Sequence, residues 1–495
     1  MKSAILSRAN ALALLVALAN PALLVAQERT ANEHPARAVR YRFIDLGTFG
    51  GPNSFTNGSS VVINENGTVV GAADTDIPCP YFPDLLISPG FKWERGAMTP
   101  LARLSGGCTG FPIAINSQGL IVGAADNGHI DPLTGVPEIR AVVWSNDQII
   151  DLGTFGGANS IATDVNDQGQ VAGIAQNDIP DLFPCGDQVS PSPTEWHAFL
   201  WDNDEMHDLG TLGGSDSCTA GALALNERGQ LTGVSYTNFD VNASTGKPTL
   251  HVFLANRNQM RDLGTLGGTF ADARTINNRG EIVGLSSLPD DSAFHPFLYT
   301  HGSMKDLGTL GGSFGVAGWI NDASVAVGAS LTAGDEALRG FIWKEGLMRS
   351  IEPLEGDTCS DAFMLNNRGQ VIGPSYNDCD LQIVRGYLWN KGVSIDLNTF
   401  VPADSDVQLA DPLFINNKGM MSVTGYLPNG NQHAIVLLPC DDDQMEGCID
   451  ASASKSRVRT RAEIVGLASR MATRRTVSPA QIVTKMRTRH LSPRR

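Results

Sequence analysis

Charge is scarce in this chain and cationic charge scarcer still. Charged residues are 18% of its 495, with 36 Lys plus Arg against 52 Asp plus Glu. That balance disfavours nucleic acid as a partner, because phosphate contacts rest on Lys and Arg. Signatures of chemistry are missing too. No Cys-x-x-Cys spacing marks a zinc site, no His-Glu-x-x-His marks a metalloprotease, and no Gly-rich block ends in Lys-Ser/Thr as a phosphate loop does. No EF-hand spacing occurs. Aromatics are few, at 7%. The one pronounced apolar run, residues 11–19, is too short to span a bilayer. Lys2 and Arg8 precede it and Pro21 follows, so residues 1–26 read as a secretory signal peptide cut near Ala26. The mature chain is therefore expected outside the cytoplasm, secreted, periplasmic or at the cell surface, with no transmembrane helix.

What is abundant is repetition. Asp-Leu-Gly-Thr-Phe/Leu-Gly-Gly stands at residues 45–51, 151–157, 208–214, 262–268 and 306–312. A block returning about every 50 residues marks a repeat architecture. Between blocks lie short apolar stretches bounded by Gly, Asn and Asp, which are strand signals. Each repeat holds four: an Asp-Leu-Gly strand, an Ile-Asn strand, a Val-Val-Gly strand and a Phe-Leu-Trp strand. The Ile-Asn strands end at Asn64, Asn116, Asn166, Asn226, Asn277, Asn321, Asn366 and Asn416. Gly follows three residues later in all but the sixth, where Ser324 stands. Asn caps a tight turn and Gly accepts positive φ, so each is a hairpin.

These signals predict an all-β protein, a β-propeller of about eight four-stranded blades over residues 41–440. The strand opening at Tyr41 lacks a preceding partner and the strand His433–Leu438 lacks a follower, so the two are expected to pair and close the propeller. Two repeats, at Pro100 and Pro353, lack the Asp. Residues 27–40 read as a linker. Residues 441–495 read as a flexible tail with twelve Lys or Arg and one acid, Glu463, after Ala451. The net charge of −16 thus hides a far more acidic propeller, and an anionic envelope or that propeller itself would attract the tail.

The repeats resemble the HAF repeat family of bacterial extracellular proteins. The triplet stands as His197-Ala198-Phe199, with His251-Val252-Phe253 and His295-Pro296-Phe297 as variants, beside the Asp-Leu-Gly blocks. The likeness runs from about Tyr41 to Leu438. It implies an exported bacterial repeat protein and carries no activity with it.

Eight cysteines in an exported chain suggest disulfides. The repeat frame pairs Cys79 with Cys108, Cys185 with Cys218, Cys359 with Cys379 and Cys440 with Cys448. The loop before the Phe-Leu-Trp strand is long in the first four repeats, at residues 74–89, 126–137, 177–194 and 236–248. Equivalent loops share a face, and insertions in repeats mark a binding side. The candidate ligand-contacting residues are Asp76, Tyr81, Phe82, Asp84, Asp178, Asp181, Phe183, Asp187, Tyr236 and Phe239. No cofactor is expected; Ca²⁺ is the one ion the loop acids would suit.

No catalytic residue stands out. Asp45, Asp151, Asp208, Asp262, Asp306 and Asp396 recur once per repeat, which suits turn caps better than a single active site. His197, His251, His295 and His433 lie in separate repeats, against a shared metal. Trp93, Trp144, Trp201, Trp343 and Trp389 share one strand position and are expected to pack between blades. Gly311-Gly-Ser-Phe-Gly315 matches a nucleophile elbow by letter but lies in a repeat turn. The reading that follows is a monomeric binding or adhesion module for a carbohydrate, peptide or surface partner. An extracellular hydrolase or lyase with acids in the central pocket is the alternative, and a structural surface protein the weaker one.

Overall fold

The computed structural model describes residues 39–451, apart from 59, 84, 184–192, 221–222, 244, 258, 380–383 and 441–445. The signal peptide, nearly all of the linker, the segment from 452 onward, Asp84, Cys185 and Asp187 lie outside the described residues. All the described strands fall in one compact unit beginning at Arg40.

The architecture is all-β and of β-propeller type, with three short 3₁₀ turns and no α-helix among the described residues. One repeat shows how it is built. Gly156–Val165, Val171–Pro180, Thr194–Asp202 and Glu205–Asp208 pair antiparallel in sequence order. The second strand places Gly173 directly opposite Phe199. A Cβ on Gly173 would lie 2.4 Å from the Phe199 ring. The Val-Val-Gly glycine is thus the bed of the His-Ala-Phe phenylalanine, which is fully buried. The same meander recurs along the chain in seven hydrogen-bonded sheets. One of these holds two meanders, residues 271–306 and 311–351, joined by the single parallel bridge of Phe294 to Phe314.

The chain ends meet as the unpaired strands require. Arg40–Asp45 pairs antiparallel with Gln432–Pro439, Asp45 opposite Ile435. The sheet then gains a strand the sequence did not reveal. Cys448–Asp450 adds to the outer edge of Arg40–Asp45, so the boundary drawn at residue 440 falls too early. The Cys440–Cys448 disulfide folds this strand back. Cys79–Cys108 and Cys359–Cys379 are also bonded, with Cα–Cα distances of 5.7 and 5.4 Å. Cys218 is disulfide-bonded as well; its expected partner Cys185 lies outside the described residues.

The eight asparagines form a ring. In each turn the side-chain oxygen accepts N–H groups two and four residues on, as Asn226 does from Arg228 and Gln230, both at 3.0 Å. Each Nδ2 donates to the carbonyl of the next asparagine: 64 to 116, 116 to 166, 166 to 226, 226 to 277, 277 to 321, 321 to 366 and 366 to 416. Asn416 then donates to the carbonyl of Asn64 at 3.1 Å. Ser324 holds the turn geometry of the missing glycine, with φ of 58°.

Candidate functional site

Second strands run away from the asparagine ring, so the four long loops and the Asp-Leu-Gly turns share the opposite end. In two of the loops the flanking strands continue outward as hairpin arms, Ile130 pairing with Pro137 and Pro180 with Thr194. Arms of this kind need no core; a strand ladder satisfies their backbone.

Twelve large apolar residues are exposed among those described, and eight lie in these four loops. They are Ile77, Tyr81, Ile130, Leu133, Ile179, Leu182, Phe239 and Val241, with Leu133 at 70% and Leu182 at 67% exposure. Of the candidate residues, Tyr81 and Phe239 are exposed with Asp76 and Asp178, while Phe82, Asp181 and Phe183 are half-buried. Tyr236 requires correction. It is 2% exposed and packs among Ile174, Trp196, Val234 and Leu250, with Phe183 edge-on at 6.4 Å. All six residues of its strand are buried, so no alternation hid an inward ring. Phe183 anchors its loop through this contact.

The recurrent His and Asp meet each other. His197 Nδ1 lies 2.9 Å from the Asp208 carboxylate, His251 2.9 Å from Asp262, and His295 2.8 Å from Asp306. His433 lies 2.8 Å from Asp45, across the two chain ends. Each of these aspartates also caps the turn that follows, Asp208 accepting from Gly210 at 2.7 Å. Arg replaces His twice, in Arg140–Asp151 and Arg385–Asp396. The pairs latch third strand to fourth, each within its own sheet. For the pairs within one repeat, a spacing of eleven residues carried this pairing in the sequence; His433 and Asp45 are 388 residues apart.

One repeat gathers more. Asn177 Nδ2 donates to Glu195 at 3.1 Å, Glu195 lies 3.9 Å from His197 Nε2, and buried Asp216 accepts the Trp196 N–H. Asp181 accepts the Phe183 N–H through Oδ1, while its buried Oδ2 has no partner among the described residues. Burial, with the negative Glu195 beside it, pushes Asp181 up to about 6. Sequence reasoning missed Glu195, two residues before His197 and on the same face of its strand.

Burial works against charge on His197, but the hydrogen bond and charge of Asp208, with Glu195 and Asp216, hold its pKa above the ordinary value. Burial likewise opposes charge on Asp208, yet His197 and the Gly210 N–H leave it below the usual carboxylate range. A raised histidine stabilises the fold below its unfolded pKa and loses that contribution as pH rises through the folded value. A lowered aspartate contributes above its unfolded pKa and is lost as pH falls through the folded one. The pair therefore contributes most between about pH 4 and 6.5. His197→Ala should lower the melting temperature more at pH 5.5 than at pH 8.5, by a small margin because Asp208 is 41% exposed and partly screened. Equal losses at both pH values would refute the charged pair.

No protein-family model matches the chain and no curated protein does. Solved structures that resemble it include a puromycin-hydrolyzing peptidase of Mycobacterium tuberculosis, at 12% identity and TM-score 0.41, covering 78% of this chain and 61% of that one. Another is dipeptidyl peptidase 4 of Porphyromonas gingivalis, at 11% identity and TM-score 0.44, covering 80% and 60%. The chain thus spans about three fifths of those two. A third is the β-propeller domain of the Trilobed protease from Pyrococcus furiosus, at 10% identity and TM-score 0.39, covering 69% of this chain and 95% of that domain. Likeness this slight says nothing of activity, and the chain is placed by its own geometry as an all-β repeat protein of propeller type.

Proposed function

We propose that the chain is an exported, eight-bladed propeller, closed by its terminal strands, that binds a protein partner through the long-loop face without catalysing a reaction. One observation carries this reading: among the described residues, two thirds of the large exposed apolar side chains sit in four neighbouring loops at one end. Isolated apolar residues on a surface mean little, but a concentration of them marks an interaction site. Six of the eight are aliphatic, which suits an apolar protein surface; a sugar would ask for flat aromatic faces. The Cys79–Cys108 bond ties the first long loop to the turn that opens the next sheet and reduces the ordering cost of binding. Disulfides accord with an extracellular setting, and no described helix is long and apolar enough to cross a membrane.

The test is selection from a displayed peptide library on the immobilised protein, in parallel with a glycan array. Peptides rich in apolar residues should be enriched, and Leu133→Asp, Leu182→Asp and Phe239→Asp combined should weaken them at least about tenfold, as loss of central contacts does. Glycan binding with no peptide enrichment would replace the protein partner by a carbohydrate.

A hydrolase reading has one observation in its favour, the Asp181, Glu195 and His197 group with its raised carboxyl. Turnover of a peptide or glycoside substrate that Asp181→Asn abolishes, with binding intact, would establish it.

A further inference from the structure

At the asparagine end, a cavity of about 240 Å³ opens on the axis of the ring. Its wall is apolar, with Ile63, Leu225 and Ile415 from the positions before ring asparagines, and Trp319 edge-on to Phe414 at 6.4 Å. Its rim comes from the positions after them. Glu65, Asp167, Glu227 and Asp322 each accept a backbone N–H from the preceding repeat, at 3.0, 2.8, 3.0 and 2.9 Å. These bonds hold the four carboxylates around the opening. No Lys, Arg or His lines the cavity among the described residues. Three guanidinium groups of these turns are engaged away from the opening: Arg228 donates to the Arg279 carbonyl, Arg368 to that of Lys418, and Arg279 lies 3.8 Å from Glu281. Burial, with Asp167 and Asp322 close by, raises the pKa of Glu227. The site is an apolar well with four carboxylates at its rim, while the basic residues of the same turns, Arg228, Arg279, Arg368 and Lys418, stand outside its lining.

We propose that this well docks the chain's own C-terminal segment, residues 452–495, with a Lys or Arg side chain between the rim carboxylates and its apolar neighbours against the wall. The chemistry matches: the segment carries twelve Lys or Arg and one acid, interleaved with Ile464, Val465, Leu467, Ile482, Val483 and Met486. Its departure point matches too. Cys448–Asp450 runs from the level of Arg42 to that of Arg40. Between them Tyr41 donates its hydroxyl to the carbonyl of Gly419, in the turn of the last ring asparagine. The described chain thus leaves on the well's own face. Reach is ample, since a blade of five strands puts the outer edge roughly 20 Å from the inner strand, a distance that fewer than about ten extended residues cover.

Carbodiimide cross-linking of the full mature chain tests this directly, because it joins lysine amines to carboxylates in contact. Lys455 or Lys485 should link to Glu65, Asp167, Glu227 or Asp322, and the links should fade between low salt and 0.5 M NaCl. Glu65→Gln, Asp167→Asn, Glu227→Gln and Asp322→Asn together keep the acceptors for the backbone N–H groups. They should abolish the links and speed tryptic cleavage of the segment at least fivefold. If that variant does not fold, Lys455→Glu with Arg457→Glu, Arg459→Glu and Arg461→Glu should give the same release of the segment. Links to other surfaces, or cleavage unchanged in a folded variant, would overturn the proposal. So would links that form only between isotopically distinct copies.

Discussion

A chain that begins at Gly47 will not form the cooperative fold that a chain beginning at Val39 forms. The difference is the strand Arg40–Asp45, which lies between Gln432–Pro439 and Cys448–Asp450. Tyr41 is 2% exposed, its ring 4.9 Å from that of Phe400 and its hydroxyl on Gly419. Asp45 holds His433, and the Leu46 N–H donates to the Ala434 carbonyl. Removing the strand exposes the edge of Gln432–Pro439, whose Ile435, Val436 and Leu437 are fully buried. Burial of each such side chain contributes about 1.5–3 kcal/mol, and a domain's whole stability is roughly 5–15 kcal/mol. Loss of Tyr41 and exposure of two or three neighbours spends most of that margin. Circular dichroism and size exclusion should show an unfolded or aggregated chain. A circular permutant is the control: a short linker joins Ala451 to Arg40, and new ends open in the turn at Asn146 and Asp147. It keeps the strand and should melt within a few degrees of the parent. Cooperative melting of the chain from Gly47 would mean that the terminal strands do not hold the array together.

What the sequence made legible followed from local chemistry repeated many times. The Asn-x-x-Gly turns marked seven of the eight inner hairpins, Ser324 standing in for glycine in the other, and the unpaired strands at Tyr41 and His433 announced each other. Features that depend on which repeats stand side by side stayed hidden. Asp45 and His433 are 388 residues apart, so their pairing emerges only once the chain ends have met. The same holds for Glu65, Asp167, Glu227 and Asp322, each an ordinary turn residue until the ring gathers them. Cys448–Asp450 is three residues long with no alternation, too brief to read as a strand. Tyr236 was misread because a position beside a long loop was taken for part of it, although its strand is buried throughout. Local rules name the parts, and the arrangement of repeats beside one another decides which of them touch.

The ring itself yields the second large effect. Asn226→Ala should lower the melting temperature by about 10 °C. The residue is 2% exposed and serves both neighbours at once. Its oxygen caps the N–H groups of Arg228 and Gln230, and its Nδ2 donates to the Asn277 carbonyl at 3.1 Å. Alanine strands all three, and each unsatisfied buried group costs roughly 1–3 kcal/mol. A total of about 3–6 kcal/mol, at 2–4 °C or less per kcal/mol in a chain this long, gives that drop. Asn226→Asp separates the two roles. Aspartate still accepts from Arg228 and Gln230, but once ionised it has no proton for Asn277 and faces that carbonyl with charge. Protonation restores the donor, so this variant's folded-state pKa lies above the unfolded value. Its stability should approach that of the parent at pH 4 and fall as pH rises through that pKa. Calorimetry of both variants at pH 4 and pH 7.5 reads the two terms. An alanine variant melting within a degree or two of the parent would show that the turns, although bonded around the axis, are held by strand packing alone.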